Sequence, residues 1–358
     1  MASLTLPHPA EILRNLSEAF GPSGHEDEVR AYITDLIKPF VDGITEDSLG
    51  NLIAVRRVKN GKRLMVDAHT DEIGLMVRHI DDSGFVKFAT LGGWDDRMFP
   101  GHRVKLRSRA GNYYYGVIGM APPHVLTDEA RAKVVKAEDY FIDIGASSAE
   151  EAAARGAAVG DPGVLEYPFF EYAPGHFMGK AFDDRVGCLL LICLLQELAG
   201  GHVETPLEVH ANFATSEELG LRGAHVAAYG IDPDVAIALE GTIGSDFPGV
   251  PADRRVCSMR KGPVISVIDK SLVVRRRMSD FMMETAEQVG VPYQVKMPIF
   301  GGTNAGAIHM TRAGVLSGVI AVPCRYIHSP NSTLYWPDFE YSMTLLSEIV
   351  RRIHRIIE

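Results

Sequence analysis

The sequence predicts an α/β protein in which a mixed sheet, flanked by helices, is interrupted by an inserted, mostly β domain. Strand patterns that end in polar clusters alternate with helical patterns in both halves of the chain. Between about residues 75 and 172 this alternation gives way to short β-like segments separated by Gly, Pro and Asp turns. We therefore assign residues 1–73 and 173–358 to one discontinuous domain and residues 74–172 to the insertion.

The composition is that of an ordinary globular protein and excludes several classes of function. The 358 residues are 46% hydrophobic and 23% charged, which argues against extensive disorder. A formal net charge of −10 argues against nucleic acid as a partner, because such a surface needs clustered Lys and Arg. The four cysteines lack CxxC spacing, so we expect buried thiols.

Neither a membrane nor an export signal is expected. The longest apolar run, residues 186–195, has about half of the length that a bilayer requires. Residues 1–5 lack the basic segment and apolar core of a signal peptide. The sequence therefore predicts a cytoplasmic location.

In the first part of the chain, the pattern predicts helices over residues 11–19 and 29–37 and a strand over residues 63–68. Residues 23–26, Ser-Gly-His-Glu, fit a capping box for the second helix. The strand delivers a polar cluster, residues 69–74, at its end. In the insertion, strands are expected at 84–88 and 112–118 and a short helix at 149–155, and residues 172–176 are expected to form the return crossing.

The second half of the chain resumes the α/β alternation. Helices are predicted over residues 186–198 and 278–288, and strands over residues 207–214, 235–239, 293–296 and 316–322. An amphipathic helix is predicted to close the chain. A glycine-rich loop is expected at 299–306. Each of three strands ends in an acid or a histidine, namely Glu217 with Glu218, Glu240 and His328. In open α/β sheets, ligands bind at the carboxyl ends of strands, so these side chains are expected to converge.

The converging side chains suggest a site for transition-metal ions. Imidazoles combined with carboxylates suit Zn²⁺, Co²⁺ or Mn²⁺, whereas Ca²⁺ and Mg²⁺ favour oxygen ligands alone. The positive charge of two divalent cations would be balanced by the negative charges of Asp183, Glu218, Glu240 and one hydroxide. Glu217 would then be free to act as general base. The alternative is structural: solvated glutamates, Asp183 as a helix cap, and Asp71 as a turn cap.

Five spaced motifs resemble the tetrahedral (TET) aminopeptidases, a group that includes glutamyl aminopeptidases. They are AHTDEIG at 68–74, KAFDDR at 180–185, TSEELG at 215–220, GGT at 301–303 and IHSP at 327–330. The resemblance covers nearly the whole chain, including the position and length of the insertion. It implies two divalent metal ions per subunit, with zinc as the expected metal and cobalt or manganese as the alternatives.

The resemblance also implies a role for each site residue. His69 and Glu240 would bind one metal ion and Glu218 and His328 the other, with Asp183 bridging the two. The same resemblance makes Glu217 the general base and makes Asp71 the residue that holds His69 or shapes the site. It further implies short peptides as substrates and a homo-oligomer, a dodecamer built from dimers through the insertion.

Two positions depart from the family pattern. Glu240 stands where many members have Asp, and Asn304 stands where the glycine-rich loop often continues with Asp. The expected activity is hydrolysis of the N-terminal peptide bond of short peptides. A two-metal deacylase or carboxypeptidase, a glycosidase, and a non-catalytic metal-binding cage are the alternatives. The sequence leaves the preferred N-terminal residue open.

Overall fold

The computed structural model describes residues 6–296 and 300–357. Within these ranges the α-helices are α1 (Pro9–Glu18), α2 (Asp27–Ile37), α3 (Asp128–Arg131), α4 (Ala149–Ala154), α5 (Phe182–Ala199), α6 (Arg222–Ile231), α7 (Arg276–Val289), α8 (Asn304–Ile308) and α9 (Trp336–Arg352). Residues 1–5, where we expect no signal peptide, lie outside the described ranges, as does Ile299 of the predicted glycine-rich loop.

The strands fall into two sheets. Those of the larger sheet are β1 (Gly43–Glu46), β2 (Leu52–Arg56), β3 (Arg63–His69), β10 (Phe170–Ala173), β11 (His176–Gly179), β12 (Glu208–Ala214), β13 (Val235–Gly244), β14 (Val264–Ser266), β15 (Gln294–Lys296), β16 (Leu316–Arg325) and β17 (Ser332–Tyr335). Those of the smaller sheet are β4 (Gly74–Ile80), β5 (Val86–Leu91), β6 (Arg103–Arg107), β7 (Tyr113–Gly119), β8 (Phe141–Asp143) and β9 (Pro162–Leu165).

The larger sheet is mixed, as the sequence predicts. Its order is β1-β2-β12-β3-β13-β16-β17-β11-β10, and β14 pairs with β16 and with β15. The neighbours β12, β3, β13 and β16 are parallel, and antiparallel strands extend the sheet on both sides. The parallel strands therefore present their carboxyl ends at one edge, where His69 ends β3 and the loop after β12 carries Glu217 and Glu218.

Helices cover both faces of the larger sheet. The apolar helix α5 packs on β3 and β13 and contacts α1, α2 and α9 on the same side. Its buried leucines are central to the main hydrophobic core. On the opposite face, α6 and α8 pack together over a smaller core of alanines, Met65 and Ile308. Among the described helices, none combines the length and apolar character that a membrane crossing requires.

The smaller sheet closes on itself as a barrel in the order β4-β5-β8-β7-β6-β9. Its core is separate from the main one and is rich in aromatic rings, with Phe99 packed against Phe88, Trp94 and Tyr140. The segment between β5 and β6, which includes Gly93, leads back toward the edge of the larger sheet.

Three local expectations are wrong. Ser23 and Glu26 form no capping box, because Glu26 has no side-chain capping bond to α2 and the Ser23 hydroxyl instead donates to Asp71 at 2.6 Å. Residues 172–176 are not a simple crossing, because they belong to the antiparallel pair β10–β11 at the edge of the larger sheet. Glu240 does not end its strand, because β13 continues to Gly244 beside β16.

Candidate metal centre

His69 lies at the end of the central strand β3 and is almost fully buried. Its Nδ1 atom is 3.3 Å from a carboxylate oxygen of Asp71 and 3.2 Å from the Asp71 carbonyl oxygen. Its Nε2 atom faces the opposite way, 3.4 Å from Asp183 Oδ1 and 3.7 Å from Glu240 Oε2. Because Asp71 occupies Nδ1, Nε2 is the nitrogen available to a ligand.

Asp183 lies between the two histidines of the site. Its Oδ1 atom faces His69, and its Oδ2 atom is 3.5 Å from Nε2 of His328. The backbone at Asp183 is not helical, with φ −85° and ψ 103°, although it falls within the first turn of α5. The next residue, Asp184, is fully buried and accepts hydrogen bonds from the backbone N–H groups of His69 and Gly187. Asp184 is thus a structural acid, while Asp183 points both of its oxygens at imidazoles.

The loop after β12 carries the two adjacent glutamates. The backbone N–H groups of Glu217 and Glu218 both donate to the Asp71 carboxylate, at 2.9 and 3.1 Å. This anchoring directs the two side chains differently: Glu218 Oε1 is 3.2 Å from His328 Nε2, and Glu217 Oε2 is 3.9 Å from His69 Nε2. Asp71 therefore orients one imidazole and both glutamates.

His328 follows β16 and is held by the barrel segment. Its Nδ1 atom is 2.7 Å from the carbonyl oxygen of Gly93, and its backbone is left-handed, with φ 57°. The inserted barrel thus contributes to the geometry of the site.

The donor atoms of the described residues form three groups that could hold a cation, and two of them share Asp183. In one of these two, donor atoms of His69, Asp183 and Glu240 lie within 4.8 Å of one another, and in the other, those of Asp183, Glu218 and His328 do. The third group consists of His69, Glu217 and Glu218. Two imidazoles with carboxylates are the donors that Zn²⁺, Co²⁺ and Mn²⁺ prefer. The residues present therefore fit a pair of divalent cations.

The electrostatics of the cluster favour bound cations. Burial raises the pKa of Glu217 and Glu240 well above the usual value, and the neighbouring acids raise it further. Burial opposes the charge of His328, yet Asp183 and Glu218 raise its pKa to about 11. Burial also opposes the charge of Asp183, but contacts with both histidines bring its pKa below the usual value. Since metal ligands must be deprotonated, cations would take the place of protons here.

Two buried acids behind the site were missed by sequence reasoning. Asp67 accepts amide hydrogens from Asn212 at 2.5 Å and Asn304 at 2.7 Å, and burial raises its pKa to about 6. Glu26 accepts from the Thr215 hydroxyl and from the Ser216 N–H group. Asp67 had a signal in the sequence, since it is the one acid within an otherwise apolar stretch of β3. Glu26 had none.

A pocket of about 720 Å³ opens beside the cluster. It is lined by Asp183, Glu217, Glu218, Glu240 and His328 on one side. The rest of its wall comes from several segments and includes Thr242, Phe247, Ser266, Lys296, Phe300, Val319, Ala321 and Tyr326. Its size suits a small organic substrate or the end of a peptide.

The fold and this site define a hydrolytic enzyme of the metallopeptidase class. The chain belongs to the M42 glutamyl aminopeptidase family, and the match to this family covers residues 50–345. It is 33% identical to the lysyl aminopeptidase of Pyrococcus furiosus over 325 aligned residues. The alignment covers 89% of this chain and 90% of that protein.

Solved structures are similar over almost the whole chain. The TET aminopeptidase of a marine-sediment archaeon of the Thaumarchaeota matches with a TM-score of 0.95 and 39% identity, covering 98% of both chains. The TET1 peptidase of Pyrococcus horikoshii, which can assemble into a tetrahedron or a large octahedral shell, matches with a TM-score of 0.85 and 31% identity, covering 96% of this chain and 99% of that one. The prediction of a TET and glutamyl aminopeptidase relative is confirmed.

Proposed function

We propose that the protein is a two-metal aminopeptidase that hydrolyses the N-terminal peptide bond of short peptides. The observation that best supports this is the pair of donor groups sharing Asp183. In this assignment His69 and Glu240 would hold one cation, Glu218 and His328 would hold the other, and Asp183 would be available to both. Zinc fits this donor set, and cobalt or manganese are the alternatives.

Glu217 is the general base in this proposal. Bound divalent cations would supply Lewis-acid polarisation of the scissile carbonyl and a water of lowered pKa. Glu217 lines the pocket beside the donor groups, belongs to neither of the two that share Asp183, and is positioned through its backbone by Asp71. Its carboxylate takes a proton from the attacking water and returns it to the leaving amine.

The acidic character of the pocket supports a substrate with a free N-terminal amine. The carboxylates that line one side of the pocket would attract an ammonium group, whereas an acylated nitrogen carries no charge. A panel of free and acetylated aminoacyl anilides, assayed on apo protein refilled with Zn²⁺, Co²⁺ or Mn²⁺, tests this.

We expect turnover of the free-amine substrates only, in at least one metal form, and little turnover by Glu217→Gln. Equal cleavage of the acetylated series would instead indicate a deacylase and would refute the aminopeptidase. Cleavage of a glycoside that continues in the presence of a chelator would indicate the glycosidase alternative.

We also propose that the chain forms a homo-oligomer of the TET kind, a dodecamer built from dimers. The similarity to a P. horikoshii TET1 structure that contains a dodecamer supports this. Large apolar side chains are exposed on the inserted segment, namely Tyr115, Val117, Met120, Val125 and Val134. Native mass spectrometry tests the assembly, and a monomer at working concentration would contradict it.

A further inference from the structure

The side chain of Glu240 accepts a single hydrogen bond within the part of the chain that the structure describes. The backbone N–H group of Asn304 donates to its Oε1 atom at 3.4 Å. Its other oxygen, Oε2, faces the imidazole of His69 at 3.7 Å. Because a hydrogen bond to one oxygen of a ligating carboxylate orients the other, the position of Asn304 sets the direction in which Glu240 points.

The side chain of Asn304 is anchored by a buried acid. Asn304 is 1% exposed, and its Nδ2 atom donates to the carboxylate of Asp67 at 2.7 Å. Asp67 is fully buried on β3, and it also accepts from Asn212 on the neighbouring strand β12. Since Asp67 lies two residues before His69 on the same strand, Asn304 is tied to the strand that carries a proposed ligand.

The backbone of Asn304 is anchored by a second buried acid, Asp269. The hydroxyl group of the preceding residue, Thr303, donates to Asp269 Oδ2 at 2.9 Å. The Thr303 N–H group donates to the hydroxyl of Ser271, which in turn donates to Asp269 Oδ1 at 2.7 Å. Thr303 and Asp269 are both almost fully buried, so water competes little for these hydrogen bonds. Asp269 thus holds the end of the glycine-rich loop, whose residues 300–303 line the pocket.

The turn that starts at Asp269 is a firm support. The backbone N–H groups of Ser271 and Leu272 donate to Asp269 Oδ1 at 2.6 and 2.9 Å, which closes the turn on itself. A Cβ atom at Gly306 would lie 2.1 Å from Ser271 Oγ, so glycine at this position lets α8 pack directly on the turn. Thr303 therefore contacts a turn that is both internally hydrogen-bonded and tightly packed.

We infer that Asn304 is a positioning residue for Glu240. Asp67 holds its side chain, and Asp269 holds its backbone through Thr303. Neither of these two acids belongs to a group of described donor atoms that could hold a cation. Together they keep the Asn304 N–H group directed at one oxygen of Glu240, which leaves the other oxygen free for a cation. This inference rests on the proposed ligand role of Glu240.

Thr303→Val tests the inference, because it keeps the shape of the side chain and removes the hydroxyl that reaches Asp269. Metal-free protein is titrated with Zn²⁺ in a calorimeter and with Co²⁺ by visible absorption, which reports the geometry around the bound ion. We expect the affinity for one of two ions to fall roughly 10- to 100-fold, the usual effect of losing a hydrogen-bond partner behind a metal ligand. The weakened ion should be the one whose binding Glu240→Gln removes, whereas Glu218→Gln should affect the other.

The matched control is Thr311→Val, just beyond the C-terminal end of α8. Thr311 is also buried, but its hydroxyl has no hydrogen-bond partner among the described residues, so this change should leave both affinities as in the wild type. Thr303→Ser keeps the hydroxyl and should retain most of the affinity. Asp269→Asn weakens the same hydrogen bond from the other side. It should therefore lower the affinity for the same ion, and combining it with Thr303→Val should add little further loss.

Two results would overturn the inference. Unchanged affinities in Thr303→Val and Asp269→Asn, together with a lower melting temperature of the metal-free protein, would make the turn purely structural. An equal loss for both ions would mean that the turn supports the whole site and not Glu240. If Thr303→Val does not fold, Asp269→Asn decides. A wild type that binds no transition metal would refute the proposed function itself, whereas two bound ions that neither variant weakens would refute this inference alone.

Discussion

Replacing Glu217 by glutamine should change activity and stability in opposite directions. The substitution keeps the size of the side chain and the backbone hydrogen bond from residue 217 to Asp71 at 2.9 Å. It removes the ability of the side chain to accept a proton, and it removes one negative charge from a crowded group of acids. We therefore expect a folded protein with its metal-binding side chains unchanged.

The expected loss of kcat follows from the role of a positioned base. Proton transfer by such a group contributes roughly 10²- to 10⁴-fold, which corresponds to about 3–5 kcal/mol of transition-state stabilisation. KM should change little, because the carboxylates of Glu218 and Glu240 still line the pocket. Steady-state kinetics on a free-amine anilide measures both constants.

The expected gain in stability applies to metal-free protein. Burial, followed by repulsion from Glu240, Glu218 and Asp71, raises the pKa of Glu217 well above its usual 4.5. A carboxyl whose pKa is raised by folding contributes stability that is fully present below pH 4.5 and is lost as the pH rises through the folded-state pKa. At neutral pH, metal-free Glu217→Gln should thus unfold at a higher temperature than metal-free wild type.

Two results would refute this reasoning. Full activity in Glu217→Gln would exclude Glu217 as the base. Loss of activity together with loss of bound metal would make Glu217 a ligand, and the matched substitution Glu218→Gln, at a proposed ligand, shows what metal loss looks like in the same assay.

Three further outcomes are expected. His328→Ala should lower the metal content by about one ion per subunit in elemental analysis, whereas the exposed control His124→Ala should not; equal loss in both would contradict the ligand assignment. Chelation should lower the melting temperature, because a ligand at 100 times its Kd stabilises by about 2.7 kcal/mol, and an unchanged melting curve would contradict the site. Asn304→Asp should destabilise by roughly 1–3 kcal/mol, because it places a second carboxylate 2.7 Å from Asp67, and adding Asp67→Asn should restore stability in chemical denaturation.

The sequence predicted the fold class because strand and helix periodicities are strong where each element buries a full face. Strand β3, buried from Leu64 to His69, and α5, buried along most of its length, are such elements. The polar residues at strand ends could be collected from the sequence because parallel strands deliver their carboxyl ends to one edge. Glu240 was included in the set although β13 runs four residues beyond it.

The remaining features depend on contacts between distant segments, which no local pattern encodes. The 23–26 segment looks like a capping box, but tertiary contacts use both of the side chains that such a box requires: Ser23 donates to Asp71, and Glu26 accepts from Thr215. A local capping hydrogen bond would need the same side chains, and the long-range hydrogen bonds form in its place. The support of His328 by the Gly93 carbonyl likewise depends on how the barrel approaches the sheet.

Asp71 shows why the supporting residues matter as much as the metal-binding ones. Burial alone would keep its carboxyl protonated, yet contact with His69, the Ser23 hydroxyl and the backbone at Glu217 lower its pKa below the usual value. Each of these donors favours the ionised form, and that single buried charge in turn fixes the His69 ring and the loop of Glu217. The orientation of a proposed ligand and the position of the proposed base are therefore coupled through one side chain that does not line the pocket.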